Sequence, residues 1–312
     1  MDAATGYAIL DGRGVLAIGG DDRVAFLQGL VSNDVRAVAP DRAAYSLFLT
    51  PQGKFLHDFF LVDGAPLGTD ALLLDAEGPR AADLLRRLKP YKLRTKVTFE
   101  DRGGAHLVAA LIGPDALSRL GLPAEPGAAR PFAGGVAYTD PRLPALGARV
   151  LLPGGDARAA SEAALEAAGF PRLDEVAYDA LRLDLGVPDG SRDMEVEKAI
   201  ALENNLDALN AISWDKGCYI GQELTARTRY RALIKKRLFP VRVEGPLPEP
   251  GTPVRLGEQA VGEMRGGRGT RALALLRIED VERAAQDQNL DSPVFRAGHS
   301  LVTATRPPWF AA

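Results

Sequence analysis

Ala44-Tyr45-Ser46-Leu47-Phe48-Leu49, Thr50-Pro51-Gln52-Gly53-Lys54 and Phe55-Leu56-His57-Asp58-Phe59-Phe60-Leu61-Val62 form the stretch from which the fold is read. Two β-prone runs flank five turn-forming residues, which predicts a hairpin. Ala71 to Asp75 adds a short apolar strand, and Gly78-Pro79 opens an amphipathic helix to Leu88, with proline near the first helical turn. The same strand–turn–helix order recurs at Leu107 to Ile112, Gly113-Pro114 and Asp115 to Leu120. A looser copy runs through Arg149 to Leu152, Pro153-Gly154-Gly155 and Ala157 to Ala168. Hairpins mixed with such units predict an α+β fold of mixed sheets and helices, not a doubly wound parallel sheet. Further helices are expected over Val24 to Ser32, behind the acidic Asp21-Asp22, and over Asp174 to Leu185, stopped by Gly186.

The pattern changes near residue 236. Short strands are expected at Leu238 to Val243, Pro253 to Leu256, Gln259 to Met264, Ala272 to Ile278 and Leu301 to Thr305, separated by Pro/Gly turns. Closely spaced strands without intervening helices predict a small C-terminal β-barrel. Residues 1–235 and 236–312 are therefore expected as two domains, in line with a length of 312. The glycine-rich Gly262 to Gly269 lies between short strands and reads as a hairpin loop, since a phosphate cradle would need a strand before it and a helix after it.

The apolar fraction of 46% and charged fraction of 25% are those of an ordinary globular protein. A net charge of −3 argues against a whole-molecule polyanion binder, so no direct nucleic-acid binding is expected. One cysteine excludes an intramolecular disulfide and any all-cysteine metal site within one chain. The three histidines, His57, His106 and His299, are not at ligand spacing, so no stably bound metal is expected. The first 30 residues carry Asp2, Asp11, Asp21 and Asp22 and no long apolar core, and no run approaches a membrane span. The expectation is a monomeric, bacterial-type cytoplasmic protein.

The single cysteine sits in Lys216-Gly217-Cys218-Tyr219-Ile220-Gly221-Gln222-Glu223. A lone cysteine is most often an inert buried hydrophobe. Here two glycines let the backbone turn sharply, and Lys216 places a cation two residues away, which favours thiolate over thiol. The expectation is a solvent-reachable thiol. Arg227, Arg229, Arg231, Lys235, Lys236 and Arg237 follow with no acid among them. Such a run reads either as a solvated face or as a rim that attracts carboxylates or phosphates. Tyr230 is the one aromatic within it, which gives base stacking little support.

Asp215 through Glu223 resembles the signature of the YgfZ family, folate-binding relatives of the glycine cleavage T-protein. Glu203-Asn204-Asn205-Leu206-Asp207, Ile212-Ser213, Ala226-Arg227, Tyr230-Arg231, Phe26 through Val35 and Thr50 through Leu56 extend the likeness, so it covers most of residues 20–240 in blocks. It implies a T-protein-like folate-binding domain with a C-terminal barrel, tetrahydrofolate or a derivative as ligand, and a role in assembly or repair of iron–sulfur clusters. Clients or assembly proteins, including enzymes that thiolate tRNA, would be partners. Cys218 and Lys216 would carry the chemistry, within a motif of Gly217, Tyr219, Gly221, Gln222, Glu223 and Arg227. Asn33, Asp58 and Asp75 are expected to accept hydrogen bonds from the aminopyrimidine ring, whose edge is rich in donors.

Two departures set the chain apart from the T-protein. Where that enzyme has paired acids on the hairpin strand, the first activating folate's nitrogen, this chain has His57-Asp58. Where it has an arginine before Leu-Arg-Leu, this chain has Ala177-Tyr178-Asp179 before Leu181-Arg182-Leu183. Whether the protein is an enzyme stays open. The competing readings are a folate-dependent one-carbon transferase or demethylase using Asp58, and a non-catalytic interaction module in which Cys218 is structural; for His57 itself the plain alternative is an exposed strand residue with no role.

Overall fold

A computed structural model describes residues 5–230, 234–286, 294–307 and 309–310. Among these residues, three sheets carry the fold. The five-stranded sheet has the order Ala44–Leu49, Phe55–Asp63, Ala71–Glu77, Arg13–Gly19, Thr98–Asp101. The six-stranded sheet runs Arg172–Leu173, Gly6–Ile9, His106–Ile112, Ala148–Pro153, Gly135–Thr139, Ala129–Phe132, antiparallel except for the pairing of Gly6–Ile9 with Arg172–Leu173. The third sheet is a closed six-stranded barrel, Lys236–Glu244, Arg271–Arg277, Gln259–Arg268, Pro253–Leu256, Val294–Ala297, Ser300–Ala304. Closure removes the unpaired edges that an open sheet of such short strands would leave.

The α+β expectation and the barrel are both found, but the reading of barrel strands without intervening helices is corrected, since helix Ile278–Gln286 follows strand Arg271–Arg277. The hairpin forms where Thr50 to Lys54 predicted it, with Gly53 at φ +68°. Pro79 sits in a short 3-10 turn, Gly78–Arg80, that leads into helix Ala81–Leu88. Ala81, Leu84, Leu85 and Leu88 are buried at i, i+3, i+4 and i+7, while Arg86 and Arg87 stay on the solvent side. One glycine reading is corrected. The stretch from Gly262 is not a loop, because strand Gln259–Arg268 continues through it and the chain turns only at Gly269, φ +60°. Close approach explains the glycines. A Cβ at Gly262 would lie 2.0 Å from the Leu275 carbonyl oxygen, and one at Gly266 2.1 Å from Asp193 Oδ1.

The chain divides into two compact units that are interleaved in sequence. The first comprises residues up to Leu49, Leu56–Tyr178 and Leu209–Ile220, and the second Thr50–Phe55, Asp179–Ala208 and Gly221 onward. This division differs from a single cut at 235/236 because the hairpin tip and the Asp179–Ala208 segment group with the barrel. Phe55 exchanges backbone hydrogen bonds with Ala199 and Glu197, and Asn205 donates to the Leu238 carbonyl at 2.7 Å.

Within the first unit the two sheets meet over a buried polar core. Arg149 reaches from the six-stranded sheet to Asp75 Oδ2 at 2.7 Å, and Arg13 donates to Asp75 Oδ1 at 2.6 Å. Arg142 grips Asp140 through two nitrogens and donates to Tyr178 Oη at 2.7 Å. The Phe60 ring lies 4.0 Å from the Arg149 guanidinium and 4.9 Å from that of Arg142. Buried charge is tolerated here because it is paired and hydrogen-bonded.

Candidate functional site

The cysteine loop is fastened to the segment after the first helix, Arg23–Gln28. Ser32 Oγ donates to the Ala211 carbonyl at 2.6 Å, the Ser213 amide donates to the Ser32 carbonyl at 3.1 Å, and Asn33 Nδ2 donates to the Asn210 carbonyl at 2.7 Å. Gln28 binds Asp34 Oδ1 and the Val35 amide, which holds the 28–35 turn in shape. Lys216 completes the tie. Its ammonium donates to the carbonyls of Val31 and Asn33, each at 2.6 Å, and lies 5.5 Å from the centre of the Tyr219 ring. Two blocks some 180 positions apart, Gln28 to Asn33 and Asn210 to Tyr219, thus form one assembly.

These contacts change the role expected of Lys216. Burial is the main influence on its ammonium and lowers the pKa to about 8, with Asp34 acting in the opposite direction. Its hydrogen bonds go to backbone carbonyls, so its visible task is to anchor the loop. Cys218 is exposed on that loop, and Tyr219 is buried beneath it. Gly217 has φ +87° and Gly221 φ +83°, conformations that L side chains rarely adopt. The pair therefore sets the path that leaves Cys218 outward while Tyr219 turns in.

The rest of the motif belongs to the second unit, starting at Gly221. Gln222 and Glu223 open helix Gln222–Tyr230, and Glu223 pairs with Arg227 at 2.8 Å, one helical turn apart on the surface. Of the basic run, Arg237 is consumed by Asp207 at 2.7 Å, and Arg231 lies outside the described residues.

The expected folate contacts are dispersed. Asn33 lines a cavity of about 330 Å³ together with Asp34, Arg42, Tyr45, Glu125 and Asn210. Both hydrogens of its amide are given to the carbonyls of Tyr45 and Asn210. Asp58 is buried and accepts from Tyr45 Oη at 2.7 Å, so it stands behind a residue of the cavity wall. Asp75 is fully buried; burial pushes its carboxyl up, but Arg13 and Arg149 outweigh that and hold it below the usual range. With both oxygens committed to guanidiniums, Asp75 has no face to offer a ligand, and the expectation that it contacts a pterin is corrected. In residue type the cavity suits a donor-rich ring, since Glu125, which pairs with Arg42, and Asp34 present carboxylates among its lining residues.

His57 is buried, not exposed as one reading had it. Alternation along strand Phe55–Asp63 sends it to the face opposite Asp58, where Nε2 lies 3.0 Å from Asp83 Oδ2. Burial, reinforced by Arg80, lowers its pKa to about 4. The Tyr178-Asp179 departure is structural too: Tyr178 accepts from Arg142 and Arg149, and Asp179 from Arg182, Arg192 and Arg268. Sequence reasoning missed Tyr45, Arg142 and Arg149; a charged residue inside the apolar run Ala148–Pro153 was the available signal. Among the described residues no group of three or more His, Cys, Asp or Glu is placed to hold a metal ion, and no helix is long and apolar enough to cross a membrane.

Residues 235–312 match the family described as CAF17, C-terminal beta-barrel domain. The mouse protein named iron–sulfur cluster assembly factor IBA57, mitochondrial, is 34% identical over 96% of this chain and 84% of its own length. The human protein of the same name is 35% identical over 88% of this chain and 78% of its own. The crystal structure of glycine cleavage system aminomethyltransferase T from Bartonella henselae superposes with a TM-score of 0.75 at 16% identity, covering 99% of this chain and 87% of that one. That likeness establishes the aminomethyltransferase-type fold. The relatives' names point to mitochondria and overturn the cytoplasmic expectation, which rested on the composition of the first 30 residues.

Proposed function

Because the chain belongs to the family of the iron–sulfur cluster assembly factor IBA57, we propose that it supports assembly or repair of iron–sulfur clusters through Cys218. The observation that carries this reading is the sole cysteine held exposed on a loop that Lys216 fastens from beneath. A [2Fe–2S] or [4Fe–4S] cluster usually takes four cysteine ligands, and one chain has one. The cluster is therefore cargo: Cys218 serves as one ligand, and an assembly or client protein completes the set. Clients in this proposal include the enzymes that thiolate tRNA, and the protein works as a monomer until a partner binds.

Reduced folate belongs to the same proposal. Asn33, Tyr45 and Asn210 would border it, Glu125 and Asp34 would accept from its ring, and Asp58 would orient the Tyr45 hydroxyl; when bound, folate supplies one-carbon chemistry. The buried Asp58–Tyr45 pair favours, as a second reading, a folate-dependent one-carbon transferase or demethylase.

Substitution of Cys218 separates the two. In a strain lacking its own family member, Cys218→Ala is expected to lose rescue of iron–sulfur enzyme activity while retaining tetrahydrofolate binding by calorimetry. Full rescue by Cys218→Ala together with turnover of a one-carbon donor would refute the cluster reading in favour of the transferase. Anaerobic reconstitution with iron and sulfide tests the ligand count, since a stoichiometric cluster on a monomer would overturn it.

A further inference from the structure

Within the basic stretch after Cys218, Arg227 pairs with Glu223 and Arg237 with Asp207. From Leu224 to Val243 the sequence holds no acid, although the whole chain is net negative. Helix Gln222–Tyr230 buries Thr225 and Thr228 and turns Glu223, Arg227, Arg229 and Tyr230 to solvent. Glu223, Arg227 and Tyr230 share one face by their spacing, and Tyr230 is 77% exposed. Lone exposed aromatics are ordinary. Two other elements of the same unit bring cations to this helix and to the turn it packs against.

The hairpin tip is the first of these. Its Gly53 approaches the helix so closely that a Cβ would lie 3.1 Å from Leu224 Cβ, which sets the half-buried Lys54 beside the helix start. The first barrel strand is the second, with Lys235 exposed just before it and Lys236 half-buried at its start. Both the helix and that strand pack against the turn Leu202–Asn204. Lys54, Lys236, Arg237 and Arg265 all act on the half-buried Glu203 in that turn.

We infer that this face of the second unit, built from Arg229, Tyr230, Lys54, Lys235 and Lys236, docks the acidic surface of a protein partner. The inference rests on the cluster-assembly reading and names the chemistry of a partner protein in that process. Tyrosine and arginine are the residues that concentrate binding energy at protein interfaces, and cationic rims speed encounter with acidic ones. A strand of RNA would meet the same charges, but it needs successive aromatic platforms, and Tyr230 stands alone in this stretch.

The test uses the full chain and two probes, fluorescein-labelled decaglutamate and decauridylate RNA, read by anisotropy. Arg229→Glu with Tyr230→Ala is expected to weaken decaglutamate binding about tenfold or more, and added salt to weaken it in the wild type. The double variant should also lose rescue of iron–sulfur enzymes in the deletion strain, while iodoacetamide alkylates Cys218 at an unchanged rate. The exposed Lys235→Glu, outside the helix, should repeat both losses to a smaller degree, which guards against a helix that simply fails to form. Tighter binding of decauridylate than of decaglutamate overturns the assignment to a protein partner. Rescue by the double variant in a background where Cys218→Ala does not rescue sinks the docking face and leaves the cluster reading standing; rescue by Cys218→Ala sinks that reading first.

Discussion

Replacing Lys216 by methionine removes the ammonium while keeping an unbranched apolar side chain. Two hydrogen bonds of 2.6 Å to Val31 and Asn33 are lost, and the two carbonyls lose a charged donor. Hydrogen bonds to charged groups contribute about 1.5–3 kcal/mol each. Part of that is offset in the wild type by the burial that lowers the ammonium's pKa to about 8. A net loss of about 2 kcal/mol in the tie between the two segments is expected, or roughly a thirtyfold rise in the open population. The Ser213 amide, bonded to the Ser32 carbonyl, is the reporter, because it closes the same junction without touching Lys216. Native-state hydrogen exchange at Ser213 should accelerate roughly thirtyfold in Lys216→Met, and the alkylation rate of Cys218 should rise as the loop loosens. Exchange at Ser213 altered by less than about threefold would refute the anchoring role. A changed alkylation rate without faster exchange would return Lys216 to the electrostatic part first read from the sequence.

Arg149→Met takes one of the two guanidiniums from the buried Asp75, leaving Arg13, and should cost about 3–5 kcal/mol by urea unfolding. Asp75→Asn combined with Arg149→Met should cost clearly less than the two single losses added, and strict additivity would argue against direct coupling. His57 gives a pH dependence with a definite sign. Its folded pKa of about 4 lies below the ordinary 6.5, so the unfolded chain binds more protons between those values. Stability from this group is complete above about pH 6.5 and is lost as pH falls through 4, a term on the order of 3 kcal/mol. His57→Gln should therefore flatten the fall of the urea midpoint between neutral pH and about pH 4.5, and parallel curves for variant and wild type would exclude His57 as the source.

Local signals were the legible ones. The Thr50 to Lys54 turn, the Pro79 entry to helix Ala81–Leu88 and the short strands after residue 236 each declare themselves over a short span of sequence, and each was found. The fate of polar residues inside strands was not legible. Asp75 looks the same in sequence whether it faces a ligand or two guanidiniums, and Arg13 and Arg149 are 62 and 74 positions away from it. The anchoring by Lys216 was hidden for a related reason: its partners are backbone carbonyls, which no residue type announces. Strands Gly6–Ile9 and Gly135–Thr139 gave little signal because they are short and carry glycine and alanine, and their stability comes from longer neighbours. Cysteine exposure was read correctly because the two glycines that direct the loop lie close on either side of it.

The grouping of Thr50–Phe55 with Gly221 onward has a consequence for the time order of folding on the ribosome. The hairpin tip is made early, yet the helix and barrel it belongs with are synthesised much later. At a typical rate of roughly 5–20 residues per second the tip waits on the order of ten seconds for them. During that interval it must not stick elsewhere, and Thr50-Pro51-Gln52-Gly53-Lys54 offers little that would: no leucine, isoleucine, valine or aromatic, one charge, and a proline that resists joining a foreign strand. The same five residues that draw the turn also keep a nascent chain quiet until the helix and barrel arrive.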